Sequence, residues 1–195
     1  MKNNKLIRFV STSLIIALFL GISVLRFYNL NNYYPDFKIV EHSIGEEIIG
    51  GDISITVLSH KLLNGKQTKE IAPDYIIEAY NNDGSVPQDE QICNLLIYLK
   101  VENNSDSQKS VSFVNFTPES FAWKNGLSLE LYTLLNPDAG SPLNFYIEPK
   151  SNAEVVLPYT MIYSQFKDAD WEKIEQRRFN LVLSQYPTKH IVNLY

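Results

Sequence analysis

Hydrophobic and polar residues alternate along the chain after residue 43, in short runs separated by turn-forming residues. In residues 52–58, Ile53, Ile55 and Val57 fall on one face and Ser54 and Thr56 on the other. A longer run over residues 92–101 repeats this alternation and places five apolar residues on one face: Cys93, Leu95, Ile97, Leu99 and Val101. Alternation with a period of two predicts β-strands that are buried on one side.

Turn signals divide the rest of this region into further strands. Asn64-Gly65 suits a hairpin turn, so the strand before it is predicted to return through residues 66–71. The turn at Lys124-Asn125-Gly126 predicts a second hairpin, between residues 121–123 and 127–131. Further predicted strands are 110–116, 153–157, which is stopped by Pro158, and 179–184, which is bounded by Pro187.

One stretch has the character of a helix. Residues 167–178 begin with acidic Asp168 and Asp170 and end with basic Arg177 and Arg178, an order that favours a helix because it complements the helix dipole. Many short strands with little helix predict an all-β fold, an antiparallel two-sheet Ig-like sandwich with one short surface helix. A closed barrel is the alternative.

An uncharged apolar segment, Phe9–Leu25, precedes the strands and follows a stretch that contains Lys2, Lys5 and Arg8. A basic region before an apolar run is typical of a signal sequence, and this run is at the short end of the lengths that span a bilayer. No A-x-A cleavage site follows it, so retention as a signal anchor is favoured. Secretion of a soluble protein after cleavage is the alternative.

The chain is therefore predicted to have four parts. They are a cytoplasmic basic tail (1–8), a transmembrane signal anchor (9–26), a stalk or linker (27–42) and an extracytoplasmic β-sandwich domain (43–195).

Charge is distributed unevenly between these parts. Four of the 17 basic residues flank the apolar segment, whereas all 22 acidic residues lie from Asp36 onward. The extracytoplasmic part therefore has 13 basic against 22 acidic residues, which does not suit a nucleic-acid partner. The chain has one cysteine, Cys93, so an intrachain disulfide is excluded, and no cysteine follows the apolar segment to accept a lipid.

Three features together resemble a known group of proteins: a GGDISITVL strand after an anchor, an apolar strand that runs into Val101-Glu102-Asn103-Asn104-Ser105, and a closing pair of apolar strands. This plan resembles small extracytoplasmic Ig-like domains of unknown function from Gram-positive bacteria. Such families commonly begin with a lipid-modified cysteine, which is absent here. The resemblance implies a fold and a location, and it carries over no catalytic residue.

Candidate metal sites are weak. Residues 79–90 place Asn81, Asp83, Gly84 and Glu90 at the spacing of an EF-hand loop, but Ala79 stands where the first carboxylate is required. The three histidines, His42, His60 and His190, are far apart in sequence and form no metal-binding or catalytic motif. We therefore expect no metal, no cofactor and no enzymatic activity.

Aromatic residues are the remaining candidates for a binding site. The chain has 12 Tyr, 10 Phe and 2 Trp, and Phe116, Phe121 and Trp123 lie close together in sequence. They are candidate ligand-binding residues, although packing in a sandwich core is favoured for such rings. We expect a membrane-anchored binding domain that contacts another envelope protein. A cell-wall glycan-binding module that uses Phe121, Trp123 and Trp171 is the alternative.

Overall fold

The structure is a computed structural model that describes residues 2–33, 38–77 and 86–195, with side chains from residue 11 onward. The chain divides into two compact units, one up to Lys38 and one from Ile39 to Tyr195. The first unit contains helix α1 (Lys2–Tyr33), in which the stretch Ser11–Tyr33 is long and apolar enough to cross a membrane. Helix α1 therefore extends beyond the predicted anchor and includes residues that were predicted as the stalk.

The second unit contains β-strands in three sheets. Sheet A has the order β1 (Lys38–Ser43), β11 (Thr188–Asn193), β10 (Asn180–Ser184), β6 (Thr117–Ser120) and β7 (Trp123–Lys124). Sheet B has the order β2 (Glu47–Gly50), β3 (Ile53–Asn64), β4 (Ile92–Asn103) and β9 (Asn152–Ile162). A small sheet C pairs β5 (Lys109–Val111) with β8 (Phe145–Ile147). Pairing in sheets B and C is antiparallel.

One hydrophobic core joins these sheets. The inner face of sheet B contributes the predicted set on β4, from Cys93 to Val101, together with Val57 on β3. Sheet A contributes Leu181 and Val192 to the same cluster. The sandwich prediction is confirmed, because two separate sheets enclose the core rather than one sheet closing into a barrel.

The outer face of sheet B is covered as well, which the alternation did not predict. Helix α3 (Leu129–Leu135) and the segment 72–77 form a second apolar cluster with Ile92 and Leu96, and helix α2 (Gly65–Ile71) contacts strands β3 and β4. Asn94, on the side of β4 opposite the predicted apolar face, is fully buried there. Its amide nitrogen donates to Thr68 Oγ1 at 3.0 Å, and its amide oxygen accepts from Thr160 Oγ1 at 2.6 Å.

The hairpin predicted at Asn64-Gly65 is wrong, because Asn64 starts helix α2. The Asn64 side chain accepts a hydrogen bond from the backbone of Gln67 at 2.9 Å, and the Gln67 side chain accepts one from the backbone of Asn64 at 3.0 Å. This capping box satisfies two backbone donors at the helix start. Residues 66–71 are therefore helical and do not form a returning strand.

The strand predicted to stop at Pro158 continues to Ile162. Strand β9 lies at the edge of sheet B, where a proline is tolerated because no neighbouring strand requires its missing N–H. Other groups cover this edge: the N–H of Ser128 donates to the Pro158 carbonyl at 2.9 Å, and the Asn125 amide donates to the Thr160 carbonyl at 2.6 Å. The side chain of Asn136 pairs with both backbone groups of Val156 at 2.8 Å.

Two further predictions of local structure need correction. The second hairpin turns at Phe121 and Ala122, between β6 and β7, and residues 127–131 lead into helix α3 rather than a strand. The predicted helix over 167–178 is broken into helix α4 (Asp168–Trp171) and a 3-10 turn, Ile174–Gln176. The described residues of the second unit therefore contain three short α-helices where one helix was predicted.

The predicted boundary between stalk and domain also moves. Strand β1 begins at Lys38 and belongs to sheet A, so residues 38–42 are part of the sandwich. Residues 34–37 of the predicted stalk, and residues Asn81, Asp83 and Gly84 of the loop with EF-hand spacing, lie outside the described residues.

Candidate functional site

The three aromatic residues predicted as a ligand-binding group have different surroundings in the structure. Phe116 and Trp123 are 6% and 8% exposed and belong to the core, whereas Phe121 is 95% exposed. The ring of Phe116 meets Phe113 edge-on, with 5.8 Å between centroids. The three rings therefore do not form a common stacking platform.

Trp123 is held in the core by its neighbours. Its ring packs edge-on against Phe179 with 5.7 Å between centroids, and its indole N–H donates to Gln165 Oε1 at 3.2 Å. Both the face and the polar edge of this side chain are thus engaged within the protein. The role predicted for Trp123 in ligand binding does not fit this position.

Phe121 lies at the turn between β6 and β7 with a φ of 50°, in the left-handed region that few non-glycine residues adopt. Next to it, the guanidinium group of Arg177 lies 5.4 Å from the centre of the Phe121 ring and 5.2 Å from that of Phe166. Both distances are within the range of cation–π attraction. The exposed ring therefore rests on a cation that a second ring supports.

Hydrogen bonds fix Arg177 in this place. Its Nε donates to Ser120 Oγ at 2.9 Å, and its Nη2 donates to the Ser120 carbonyl at 2.8 Å. The Ser120 hydroxyl in turn donates to the Arg178 carbonyl at 2.5 Å. These bonds connect the end of β6 to the segment before β10, so the turn that carries Phe121 has a rigid base.

A second pair of the same kind lies one residue further along the chain. The guanidinium of Arg178 lies 4.9 Å from the centre of the Tyr195 ring, which is 66% exposed. The N–H of Leu194 donates to the Phe179 carbonyl at 3.0 Å and holds this end of the chain against β10. We call the group formed by Phe121, Phe166, Arg177, Arg178 and Tyr195 the Arg–aromatic surface.

Trp171, proposed for glycan stacking, is also engaged within the protein. Its ring meets Tyr163 edge-on at 5.8 Å and lies 5.6 Å from Phe166. Its indole N–H donates to the Glu90 carbonyl at 3.2 Å. Of the three residues in the glycan-binding alternative, Phe121 is thus the one with a freely exposed ring.

The other candidates for chemistry are poorly placed. Cys93 is 4% exposed, and burial, with a smaller contribution from the charge of Glu175, raises the pKa of its thiol to about 12. A thiol of this kind carries little thiolate at neutral pH and is a poor nucleophile. Within the part of the chain that the structure describes, no group of three or more His, Cys, Asp or Glu side chains could hold a metal ion.

A groove of about 710 Å³ lies beside the edge strand β9, a volume in the range of small-molecule sites. Its lining includes Tyr98, Tyr146, Asp138 and Glu154. The sequence analysis did not find this groove, because its walls come from strands and loops that are far apart in the chain. This groove is therefore an alternative binding surface to the Arg–aromatic surface.

Sequence reasoning also missed the basic half of the Arg–aromatic surface. Arg177 and Arg178 were interpreted as the last turn of a helix, but the 3-10 turn ends at Gln176 and both arginines follow it. The available signal was their position directly before the apolar strand that starts at Phe179, close to the end of the chain. That signal shows no link to Phe121, which is more than fifty residues away.

Solved structures with similarity to this chain include an uncharacterised β-sandwich protein from Clostridium difficile 630, with 12% identity, a TM-score of 0.46 and coverage of 82% of this chain and 97% of that one. The yjhA protein from Bacillus subtilis has 18% identity and a TM-score of 0.47, with 78% and 98% covered. A functionally unknown protein from Listeria monocytogenes EGD-e has 14% identity and a TM-score of 0.44, with 71% and 69% covered.

The search of curated protein sequences gives no match. A family model described as a domain of unknown function, DUF5028, matches residues 40–190, which are most of the chain. The matched segment begins within β1 and ends within β11, so it covers the sandwich. The chain therefore belongs to the DUF5028 family.

Proposed function

We propose that this chain is a membrane-anchored extracytoplasmic binding domain, without catalytic activity, that contacts another envelope protein through the Arg–aromatic surface. The observation that carries the proposal is the 95% exposure of Phe121 at a turn with positive φ. A non-glycine residue in such a conformation costs about 1–3 kcal/mol, and such residues cluster at functional sites. A ring that is exposed in the free protein gains little stabilisation from burial, so it offsets this backbone strain only when a partner covers it.

The composition of the surface supports a protein partner. Aromatic residues and arginine are enriched at protein interfaces and among the residues that dominate binding energy. Burying a phenylalanine side chain is worth about 1.5–3 kcal/mol, and Arg177 is already positioned by Ser120, so little side-chain entropy is lost on binding. Arg178 adds a positive charge to a domain that is acidic as a whole, which favours an acidic partner surface.

The binding proposal predicts the effect of Phe121→Asn. Asparagine tolerates a positive φ, so this change removes the ring and keeps the turn. Recovery of the partner by the tagged full-length chain, solubilised from membranes in detergent at native salt, is expected to fall about thirtyfold, as for an interface hot spot. Quantitative mass spectrometry of the captured proteins measures the change.

Tyr146→Asn is the matched control, because Tyr146 is 64% exposed and lies at the groove beside β9. Partner recovery by this variant is expected to equal that of the wild-type chain. The proposal is contradicted if Phe121→Asn recovers as much partner as wild type. Loss in Tyr146→Asn alone would instead assign binding to the groove.

Retention in the membrane is the second part of the proposal. It is supported by the apolar stretch Ser11–Tyr33, by the basic residues ahead of it, and by the absence of an A-x-A cleavage site in the sequence. Cell fractionation is expected to recover the chain in membranes with its original N-terminus. A chain that begins at Val24 and accumulates in the medium would show that the segment is a cleaved signal, and the protein would then be secreted.

A further inference from the structure

Two histidines from opposite ends of the folded unit meet at the edge of sheet A. His42 on β1 and His190 on β11 have 3.0 Å between Nε2 of the first and Nδ1 of the second. Their ring planes differ by 14°, and their centroids are 5.3 Å apart. At this nitrogen distance, imidazole centroids reach such a separation only when both nitrogens lie on the line between them. The rings therefore meet edge to edge through a linear hydrogen bond.

A carboxylate fixes the tautomer of His42. Glu46 Oε1 lies 2.7 Å from His42 Nδ1, and Glu46 Oε2 accepts the backbone N–H of Ser43 at 3.0 Å. These two hydrogen bonds, chiefly the one from His42, lower the pKa of the Glu46 carboxyl. The carboxylate thus stays charged near neutral pH and can only accept, so the proton of neutral His42 sits on Nδ1.

The number of protons that this pair can hold follows from the geometry. With its proton on Nδ1, His42 presents a bare Nε2, which accepts the Nδ1–H of His190. A first additional proton can go to His190 Nε2, which strengthens the bond because its donor is then charged. A second must go to His42 Nε2, where two N–H groups and two positive charges would face each other. The bridged pair therefore excludes the second proton.

The charged residues next to the two histidines in sequence have partners of their own. On β1, Glu41 accepts from the side-chain amide of Asn193 at 3.0 Å. On β11, Lys189 lies 2.5 Å from Glu119 of β6. Strand β10 contributes the neutral Ser184 opposite His190. Glu46, from the turn after β1, is therefore the carboxylate that contacts the pair directly.

Strand β1 depends on this contact more than an interior strand would. It lies at the edge of sheet A, and among the described strands it pairs only with β11. It is also the first strand after α1 in the chain. The His42 side chain is 10% exposed, so the His42–His190 contact is partly shielded from water while β1 stays in place.

We propose that Glu46, His42 and His190 form an acid-sensitive latch that holds β1 on β11 with at most one added proton and releases β1 when both imidazoles are protonated. After release both imidazoles can be protonated, so at acidic pH the released state binds one more proton than the latched state. The opening equilibrium therefore shifts towards release by about tenfold per pH unit once the pH falls below about 6.5, the range in which free imidazoles take up protons.

Hydrogen–deuterium exchange of the full-length chain in detergent micelles tests the latch. The protection factors of β1 amides, corrected for intrinsic exchange, are expected to fall about tenfold or more between about pH 7 and pH 5, while those of β4 stay unchanged. In His190→Asn an amide N–H can replace the Nδ1–H, and no second imidazole is present. The acid response of β1 is expected to disappear in this variant and to persist in His60→Asn, where the third histidine is changed.

A measurement without substitutions keeps the test independent of the folding of the variants. Nitrogen-15 spectra of the three histidines report the protonation of each ring nitrogen directly. We expect the His42–His190 pair to take up its two protons in separate steps, with the second step at the pH where β1 protection is lost. Independent titration of the two rings with one midpoint would overturn the proposal, as would β1 protection that does not change with pH.

Discussion

Asn136→Leu is expected to lower the free energy of unfolding by about 3 kcal/mol, although leucine has a similar branched shape. Asn136 is 9% exposed, and its amide nitrogen donates to the carbonyls of Tyr132 and Val156, at 2.8 Å each. Its amide oxygen accepts the N–H of Val156 at 2.8 Å. The substitution leaves the N–H and the carbonyl of Val156 without these partners in a region that water reaches poorly, and each such group costs about 1–3 kcal/mol. The Tyr132 carbonyl keeps the hydrogen bond from the backbone N–H of residue 136 at 2.9 Å. Urea denaturation followed by circular dichroism measures the loss.

The same substitution uncovers the edge of β9. In the wild-type chain, side chains and one backbone N–H take the place of a neighbouring strand along this edge, from Val156 to Ile162. An unpaired strand edge is a template for another chain. Asn136→Leu is therefore also expected to increase the apparent mass of the detergent-solubilised chain in light scattering.

Asn144→Leu is the matched control. It replaces the same residue type by leucine, but at an exposed position without these hydrogen bonds. Its free energy of unfolding is expected to stay within about 0.5 kcal/mol of wild type. Equal stability of the two variants would show that the β9 edge does not depend on Asn136.

The sequence predicts the inner face of the sandwich well. On β4 the five residues of the predicted apolar face, Cys93, Leu95, Ile97, Leu99 and Val101, all belong to the core between the sheets. The period of a strand is a local property, so these residues reveal it without knowledge of their partners. The outer face of the same strand could not be predicted, because Asn94 is polar and its burial depends on Thr68 and Thr160 from distant elements.

The candidate site was predictable in part. The sequence analysis named Phe121 but gave Phe116 and Trp123 the same role, because all three are aromatic and close together. Their exposure depends on where the hairpin turns: with the turn at Phe121, Trp123 points into the core and pairs as part of β7. Arg177 joins Phe121 only because β6 and β10 are neighbours in sheet A. No local pattern contains that information.

The Glu46, His42 and His190 group shows the same limit. His42 and His190 form no sequence motif, because 148 positions separate them. Pairing of the first strand with the last one brings them together. A motif search depends on spacing along the chain, so it cannot find a constellation that strand pairing creates.

Gly65→Ala is expected to lower the free energy of unfolding by about 2 kcal/mol, even though alanine is the better helix former. A Cβ atom at Gly65 would lie 2.6 Å from the carbonyl oxygen of Asp89, 2.8 Å from Asp89 Cα and 2.7 Å from Ile77 Cδ1. Two of these atoms are backbone, so the 3-10 turn Gln88–Glu90 must move away from helix α2. Overpacking of this kind costs about 1–3 kcal/mol, or more when backbone must shift, which exceeds the helix-propensity gain of up to about 1 kcal/mol.

Gly126→Ala provides the matched control for this change. A Cβ atom there would meet nothing within 4 Å, and Gly126 is not among the glycines with positive φ. Its stability is expected to match or slightly exceed that of wild type, because alanine reduces the freedom of the unfolded chain. If Gly65→Ala were as stable as Gly126→Ala in urea denaturation, the 3-10 turn would not be packed against α2. Helix α2 would then be held on sheet B by its contacts with β3 and β4, which include the Asn94–Thr68 hydrogen bond.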